Sequence, residues 1–474
     1  METLELDDIQ GYIIRGYSHM MYSRYVLLEV TNAALAKNWI SEVSDTFTNA
    51  THVPSKANLP NTCLNIAFTH RGLIALGMSE DNAQNFTREF SEGMTTPHRQ
   101  RILGDFDSSA PDKWTWGGSN NKPVHAVLMI FGKNKDVCLN YYHQLQTEYT
   151  DSGLQEIMQI DGQTLPNNKE HFGFRDGISQ PIIKGSGRFG AEDNMINAGE
   201  FLLGYKNEYH VYPDTPLLET EQGEVNLLPS DAGGSGKKDL GRNGSYLVMR
   251  QMQQDVEGYW KFNNEHTKNE DGSINVEESI KLAAKMMGRW PSGAPVVKFP
   301  DKDPGGNSDD NDFGYAKEDP DGLKCPFGSH LRRSNPRDSF EDANAKTSIW
   351  LTNRHRIIRR ARLYGDPIVS SPTNNKPNGE VGLLFNCFNA DISRQFEFIQ
   401  YTWGNFPKVK QLYNDPDPIT GVREVPVEGE EQNFTIQGCP VNTTVKGLKR
   451  FVTIRGGAYF FFPSITTIRY ICTL

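Results

Sequence analysis

The chain has 474 residues, of which 23% are charged and 37% hydrophobic, and its formal net charge at pH 7 is −10. This composition is typical of a soluble globular protein, and the length suggests two or three domains. The acidic balance argues against a nucleic-acid partner. No stretch approaches the roughly 20 apolar residues that cross a bilayer, so a membrane-spanning segment is not expected either.

The beginning of the chain and its cysteines bear on the compartment. Residues 1–8 are acidic and lack the basic and then apolar pattern of a signal peptide. The six cysteines are widely spaced and form no Cys-x-x-Cys pair, so neither a zinc site nor a disulfide framework is indicated. We therefore expect a cytoplasmic protein.

The first third of the chain alternates short apolar runs with helical patterns. Strands are predicted at residues 25–30, 63–68 and 125–131, and helices at residues 33–43, 71–76 and 136–150. The third strand is apolar throughout, which is typical of a strand buried on both faces. The order resembles β-α-β-β-α-β and indicates an α+β fold.

The middle of the chain, residues 183–325, is rich in Gly, Pro, Asn and Asp and is predicted to form mainly long loops. One helix interrupts it, beginning after an N-cap at Asn275 and ending before Gly288. The last third returns to alternation, with predicted strands at 382–388 and 458–462 and a predicted helix at 392–401. We therefore predict two α+β domains, residues 1–230 and residues 231–474.

Three segments have compositions that suggest chemistry, and the first is residues 171–181, HFGFRDGISQP. It places Asp176 beside a glycine and close to two phenylalanines. Glycines allow a tight bend or a close approach of the backbone, and an acid among apolar groups has a perturbed proton affinity. The alternative is a tight turn in which the Asp176 side chain bonds its own backbone.

The second segment is residues 325–337, CPFGSHLRRSNPR, in which one histidine, His330, follows a Gly-Ser pair. Neutral imidazole is the commonest protein ligand of transition metals, and nearby arginines suit the carboxylates of a metal cofactor. The alternative is a partly buried structural histidine in a basic loop.

The third segment is residues 353–365, NRHRIIRRARLYG, which contains five arginines around two isoleucines. Strand alternation would put Arg359 and Arg360 on opposite faces. One guanidinium would then point inward, and a buried arginine requires a partner. A solvated basic face is the alternative.

Together these three segments resemble the dye-decolorizing (DyP-type) haem peroxidases. Gly-Phe-Arg-Asp-Gly is similar to the distal aspartate motif of that family and implies that Asp176 is catalytic. The histidine segment is similar to the proximal motif and implies that His330 binds the iron. The arginine segment is similar to the distal arginine motif, and alignment on its Tyr-Gly places the catalytic arginine at Arg359, with Arg360 as the alternative.

The resemblance extends over nearly the whole chain in the order of the family. Further similar stretches lie at residues 8–11, 287–295, 382–385 and 455–461. One position departs from the pattern, because many members carry Gly where this chain has Ala361. A methyl group there would narrow the distal pocket if it faces the iron.

The resemblance implies an α+β fold of two ferredoxin-like domains, antiparallel sheets with peripheral helices, and haem b held between them toward the C-terminal half. It implies contacts to the cofactor from Gly177, Arg359 and a distal apolar wall of Leu383 and Phe385, and a propionate partner at Arg332. The acceptor for the second ring nitrogen of His330 stays open, with Asp391 and Glu397 available.

The implied activity is a peroxidase that reduces hydrogen peroxide and oxidises bulky dyes and phenols through a ferryl-radical intermediate. Asp176 would move the proton between the two peroxide oxygens, and Arg359 would favour its ionised form. The alternatives are a haem-handling protein with incidental peroxidase activity and a structural protein without a cofactor. The physiological reductant and the oligomeric state are left open by the sequence.

Overall fold

The computed structural model describes residues 3–51, 59–340, 344–422 and 432–474. The strands are β1 (Tyr22–Val30), β2 (Thr62–Phe68), β3 (Ala126–Gly132), β4 (Leu154–Gln163), β5 (Ile182–Ile183), β6 (Met195–Ile196), β7 (Ser245–Gln254), β8 (Ile358–Arg359), β9 (Arg362–Tyr364), β10 (Gly382–Asn389), β11 (Asn433–Ile436), β12 (Thr443–Lys446) and β13 (Val452–Phe462). The α-helices are α1 (Gly11–Ile14), α2 (Ala33–Glu42), α3 (His70–Ala75), α4 (Glu80–Ala83), α5 (Arg88–Glu92), α6 (Pro97–Leu103), α7 (Lys135–Tyr149), α8 (Val256–His266), α9 (Val276–Met287), α10 (His330–Ser334), α11 (Ala345–Asn353) and α12 (Ile465–Ile471).

The first half forms an antiparallel sheet in the order β2-β3-β1-β4, with α2 and α7 in the connections. This is the predicted β-α-β-β-α-β order. Strand β3 is buried along its whole length. On one face Ala126, Leu128 and Ile130 pack under the helices, and on the other Val127, Met129 and Phe131 face the second sheet. The prediction of a strand buried on both faces is therefore confirmed.

The second half repeats the same arrangement with β13-β7-β10-β9, in which the first strand in sequence again lies second in the sheet. Two of its elements, β7 and α8, lie where the sequence predicted loops, and that prediction is wrong there. The sequence of β7 contains Arg250 and three glutamines, yet the strand is almost entirely buried. Arg250 forms an ion pair with the buried Asp105. This pairing allows a strand with several polar residues to lie in the core, which the sequence pattern did not predict.

The two sheets join into one closed ring, β7-β13-β2-β3-β1-β4-β9-β10, because β10 also pairs with β7. The joints are short, a single pair between Phe461 and Phe68 and another between Gln163 and Leu363. Apolar side chains from both halves fill the space between the sheets. The predicted α+β class with two ferredoxin-like units is confirmed, and the proposed boundary at residue 230 falls in the connection between β4 and β7.

Two predicted helices differ in outcome. The helix after Asn275 is confirmed, since the Asn275 side chain accepts the Glu278 N–H at 3.1 Å and Gly288 ends the helix at a φ of 92°. The segment predicted as a helix at 392–401 is helical but has π-helical geometry, over Ser393–Glu397 and Ile399–Asn405. In the part of the chain that the structure describes, no helix is both long and apolar enough to cross a membrane.

Candidate active site

A cavity with a volume of about 230 Å³ lies against strand β10 and collects residues from all three segments singled out in the sequence. One water molecule needs about 10–15 Å³ by this measure, so the cavity has room for a much larger group. Its apolar wall includes Ile357, Leu383, Phe385 and Phe396. Charged and imidazole side chains also line it, and these are Glu170, Arg175, Asp176, Arg289, His330, His355, Arg356, Arg359 and Asp417. The structure thus brings Asp176, His330 and Arg359 to one space.

A tight loop carries Asp176 to the cavity. The Asp176 N–H donates to the carbonyl of Asn168 at 2.9 Å, and the Glu170 N–H donates to the carbonyl of Phe174 at 2.8 Å. At the tip, Gly173 has a φ of 95°, and a Cβ there would lie 2.3 Å from the carbonyl oxygen of Ser370. Only glycine fits that position, so the bend that returns the chain to Asp176 depends on it.

Asp176 forms an ion pair with Arg359. The Arg359 Nη1 donates to Asp176 Oδ1 at 2.8 Å, and the Gly177 N–H donates to the same oxygen at 2.6 Å. The Asp176 side chain is 36% accessible, and that accessible surface is part of the cavity wall. Burial raises the pKa of Asp176, but Arg359 and the Gly177 N–H outweigh it and hold the pKa below its ordinary value. Asp176 is therefore an ionised acid beside a fixed positive charge.

The two neighbouring arginines point in different directions. Arg359 pairs with Cys387 of β10 in the sheet and directs its guanidinium to Asp176. Arg360 donates instead to the carbonyl oxygens of Tyr12 at 3.0 Å and Ile13 at 2.8 Å, near the end of α1. The alternation expected of a strand is thus present, and the structure joins Arg359, not Arg360, to Asp176.

His330 opens helix α10 and is held by a carboxylate that the sequence analysis did not consider. Its Nδ1 lies 2.8 Å from Oδ2 of the buried Asp417, whose Oδ1 accepts the N–H groups of Ile419 at 2.9 Å and Thr420 at 2.8 Å. Burial raises the pKa of Asp417, and the nearby His330 more than offsets this and lowers it. An ionised Asp417 can only accept, so Nδ1 carries the hydrogen and Nε2 is left as a ligand.

Neither of the two acids named as available to His330 is its hydrogen-bond partner. Glu397 accepts hydrogen bonds from Arg99 Nη1 at 2.6 Å and the Tyr459 hydroxyl at 2.8 Å, and Asp391 binds Arg394. The local sequence of Asp417, an Asp followed by Pro, Ile and Thr, predicts a turn in which the Asp side chain accepts the next backbone N–H groups. Nothing in that signal points to residue 330.

The prediction that Arg332 contacts a propionate is also wrong. Its guanidinium is buried, donates to Asp319 Oδ2 at 2.9 Å and packs on the rings of Tyr315 and Phe327. Arg332 follows His330 by two positions on a helix, which turns it about 200° away from the histidine. It is absent from the cavity wall.

Two other arginines, Arg289 and Arg356, line the cavity where Arg332 does not. In the described ranges neither forms an ion pair with a carboxylate; Arg356 donates to Asn194 Oδ1 at 2.9 Å and Arg289 to the carbonyl of Gly293 at 2.7 Å. Burial and the charge of Arg337 lower the pKa of Arg289 to about 10 and that of Arg356 to about 9. Buried guanidinium groups favour counter-charge, so both side chains suit the carboxylates of an anionic cofactor.

These residues fit a haem. The cavity offers the His330 imidazole, whose Nδ1 is held by Asp417 and whose Nε2 has no hydrogen bond among the described residues, an apolar wall that includes the predicted Leu383 and Phe385, and two guanidinium groups for two carboxylates. A second histidine of the wall, His355, binds the Arg394 carbonyl and stacks on Phe398. The predicted Gly177 lies elsewhere, on a second cavity of about 260 Å³ that also contains Ala361. Asp176 and Arg359 line both cavities, whereas Ala361 lines the second and not the first.

Comparison with known proteins gives a consistent result. Residues 8–166 match a family model described as the DyP dimeric alpha+beta barrel domain. A dye-decolorizing peroxidase of Mycena epipterygia is 29% identical, with 98% of this chain and 87% of the relative covered. Dye-decolorizing peroxidase msp1 of Mycetinis scorodonius is 28% identical, over 98% of this chain and 87% of the relative. The structure of an ancestral D-type dye decolorizing peroxidase superposes with a TM-score of 0.79 at 26% identity, over 100% of both chains.

Proposed function

We propose that this chain is a dye-decolorizing peroxidase that uses haem b to reduce hydrogen peroxide and to oxidise dyes and phenols, since relatives of that name match it over nearly its whole length. One observation carries the proposal. The ion pair of Asp176 with Arg359 and the imidazole held by Asp417 line the same largely apolar cavity. An acid–base group, a fixed cation and a metal ligand in one water-poor space are the parts that peroxide reduction requires.

The residues that would hold the haem follow from the cavity. His330 would bind the iron through Nε2, Arg289 and Arg356 would hold the propionates, and Leu383 and Phe385 would form an apolar wall. When bound, haem supplies the electrons that split the peroxide bond and afterwards accepts electrons from the reducing substrate. The apolar wall limits water around these groups, which strengthens their electrostatic interactions.

Asp176 would handle the proton. Its ionised carboxylate takes the proton from one oxygen of hydrogen peroxide and returns it to the other, so that water can leave. Arg359 would contribute in two ways, since it keeps Asp176 ionised and stabilises negative charge as the O–O bond breaks.

The basic test is whether haem and peroxide are both required. Purified protein supplied with haem is expected to show a Soret band and to oxidise a bulky dye only when peroxide is added. Protein that has no Soret band after exposure to adequate haem would contradict the proposal. A haem-handling protein would show the band with dye oxidation no faster than that of free haem.

Arg359→Leu is expected to lower kcat/KM for hydrogen peroxide by about 10²–10³-fold, the usual effect of removing one transition-state donor. It should also move the acidic limb of the pH profile to higher pH. The base is the ionised form of Asp176, and without Arg359 its pKa rises, so protonation removes activity sooner as the pH falls.

Arg360→Leu is the matched control, because that guanidinium binds backbone carbonyl groups near α1 and not Asp176. We expect reduced thermal stability with an unmoved acidic limb. A shift of that limb in Arg360→Leu, with none in Arg359→Leu, would reverse the assignment.

Asp417→Asn is expected to weaken haem binding or peroxide turnover by about 10–100-fold, as is usual for the outer partner of a metal-bound histidine. The amide can still accept the Nδ1 hydrogen, but it no longer supplies negative charge to the imidazole. Asp391→Asn serves as the control, since Asp391 binds Arg394. The measurement is haem transfer to an acceptor protein, and equal transfer rates in the two variants would argue against a special role for Asp417.

A further inference from the structure

A second carboxylate, Glu170, lies at the junction of the two cavities and lines both of them, together with Asp176. Its Oε2 accepts the Phe172 N–H at 2.9 Å, and its Oε1 accepts the Phe174 N–H at 3.0 Å. Gln254, the last residue of β7, donates its Nε2 to Oε2 at 2.7 Å. All three donors thus converge on one side chain.

These contacts span the loop that ends at Asp176. The backbone of Glu170 pairs with Phe174 and the backbone of Asn168 with Asp176, so Glu170 closes the loop from within. The tip is anchored by the buried Phe172, whose ring lies 4.5 Å from that of Tyr259. Without this carboxylate two buried N–H groups would lose their acceptors. Unsatisfied buried donors would destabilise the folded conformation of the loop.

The role needs a carboxylate and not just a side chain of that shape. The two backbone N–H groups use different oxygens, and a glutamine at this position has only one acceptor. Its NH₂ group would face the other N–H, donor against donor. The loop would have to open there to relieve the contact.

We propose that Glu170 is a positioning residue for Asp176, which holds the loop so that the Asp176 carboxylate stays at the cavity wall in reach of peroxide. This inference rests on the proposed function of Asp176. Glu170 itself need not touch the substrate. Its effect would come from fixing the distance over which Asp176 transfers a proton, and misplacement by about 1 Å can cost roughly 10²-fold in rate.

The clamp also depends on pH. Burial, with a smaller contribution from the charge of Asp176, raises the pKa of Glu170 to about 7, against the lowering effect of the Phe172 and Phe174 N–H groups and Gln254. Lys169 and Tyr259 are the other titratable groups coupled to it. Above that pH both oxygens accept fully, and below it one of them carries a proton and accepts less well. Gln254 Oε1, a buried acceptor without a partner among the described residues, is available to accept a hydrogen bond from the protonated carboxyl once the amide turns.

The test compares haem-loaded Glu170→Gln with wild type by hydrogen exchange and kinetics. We expect about tenfold lower protection of the Phe172 and Phe174 amides, and kcat/KM for peroxide lower by about 10–100-fold. Wild-type protection factors should increase as the pH rises through about 7, and those of Glu170→Gln should not. Glu156→Gln is the control, because that carboxylate also accepts several hydrogen bonds but lies on β4, outside both cavities.

Unchanged protection and unchanged kinetics in a folded Glu170→Gln would overturn the inference. If that variant does not fold, Gln254→Met decides, since it removes one donor to the carboxylate and leaves both backbone N–H groups. A loss of protection confined to residues 168–177 supports the clamp, and wild-type protection there overturns it. Asp176→Asn measured in parallel separates the two proposals. If Asp176→Asn keeps its activity, the proposed function is overturned. If Asp176→Asn loses its activity while Glu170→Gln stays fully active, only the clamp is overturned.

Discussion

Replacing Asp176 with Asn is expected to lower kcat/KM for hydrogen peroxide by about 10²–10⁴-fold and to leave haem bound. The amide keeps the size of the side chain and can still accept from Arg359 and the Gly177 N–H. It cannot take a proton from peroxide. The loss therefore measures proton transfer and not packing.

The measurement is the second-order rate of the peroxide reaction by stopped flow, with haem content checked by absorbance. Asp161→Asn is a suitable control, because Asp161 also pairs with an arginine, Arg24 at 2.7 Å, but lies on β4 outside both cavities. We expect the control to react at the wild-type rate. A normal rate in Asp176→Asn would remove the acid–base role assigned to Asp176.

Replacing His330 with Ala is expected to abolish stable haem binding. His330 lines the cavity with its Nδ1 held by Asp417 and its Nε2 left for a metal, and the apolar wall and the two arginines hold a haem less specifically than a bond to iron does. The weakening should exceed the about 10–100-fold expected from losing an outer partner such as Asp417. The Soret band should be lost or shifted in purified protein.

Added imidazole provides a second readout for this variant, because it can enter the space left by the side chain and restore a ligand to the iron. His125→Ala is the control, since His125 is also partly buried and accepts one backbone N–H, from Val30 at 3.0 Å, but lies just before β3 and lines neither cavity. A wild-type spectrum in His330→Ala would exclude this residue as the ligand.

The sequence identified the catalytic candidates where the chemistry is carried by residues close together in the chain. Local composition drew attention to Asp176, with its glycines and phenylalanines, and to His330, with its arginine-rich segment. The resemblance to the peroxidase family then implied their roles and placed the catalytic arginine at Arg359, with Arg360 as the alternative. The elements of the first half were also predictable, because apolar periodicity reports directly on burial when a strand or helix has few polar residues.

Tertiary structure decided the contacts between distant segments. Asp417 lies 87 residues from His330, and nothing local to either residue links them. The helix rotation that removes Arg332 from the cavity, and the fold that brings in Arg289 and Arg356, have no counterpart in local composition. Strand β7 was missed because the partner of Arg250 is 145 residues away.

By itself, then, the sequence of this protein determined the resemblance to the peroxidases, the α+β class and the candidate residues for charge and metal binding. Only the folded chain decided which of those charges meet. Residue types and spacing within a segment set what each group can do, whereas the pKa of Asp176 and the orientation of His330 depend on groups brought within about 3 Å by the closed ring of strands and the loops around it. Such distances are set by packing, which no local pattern encodes.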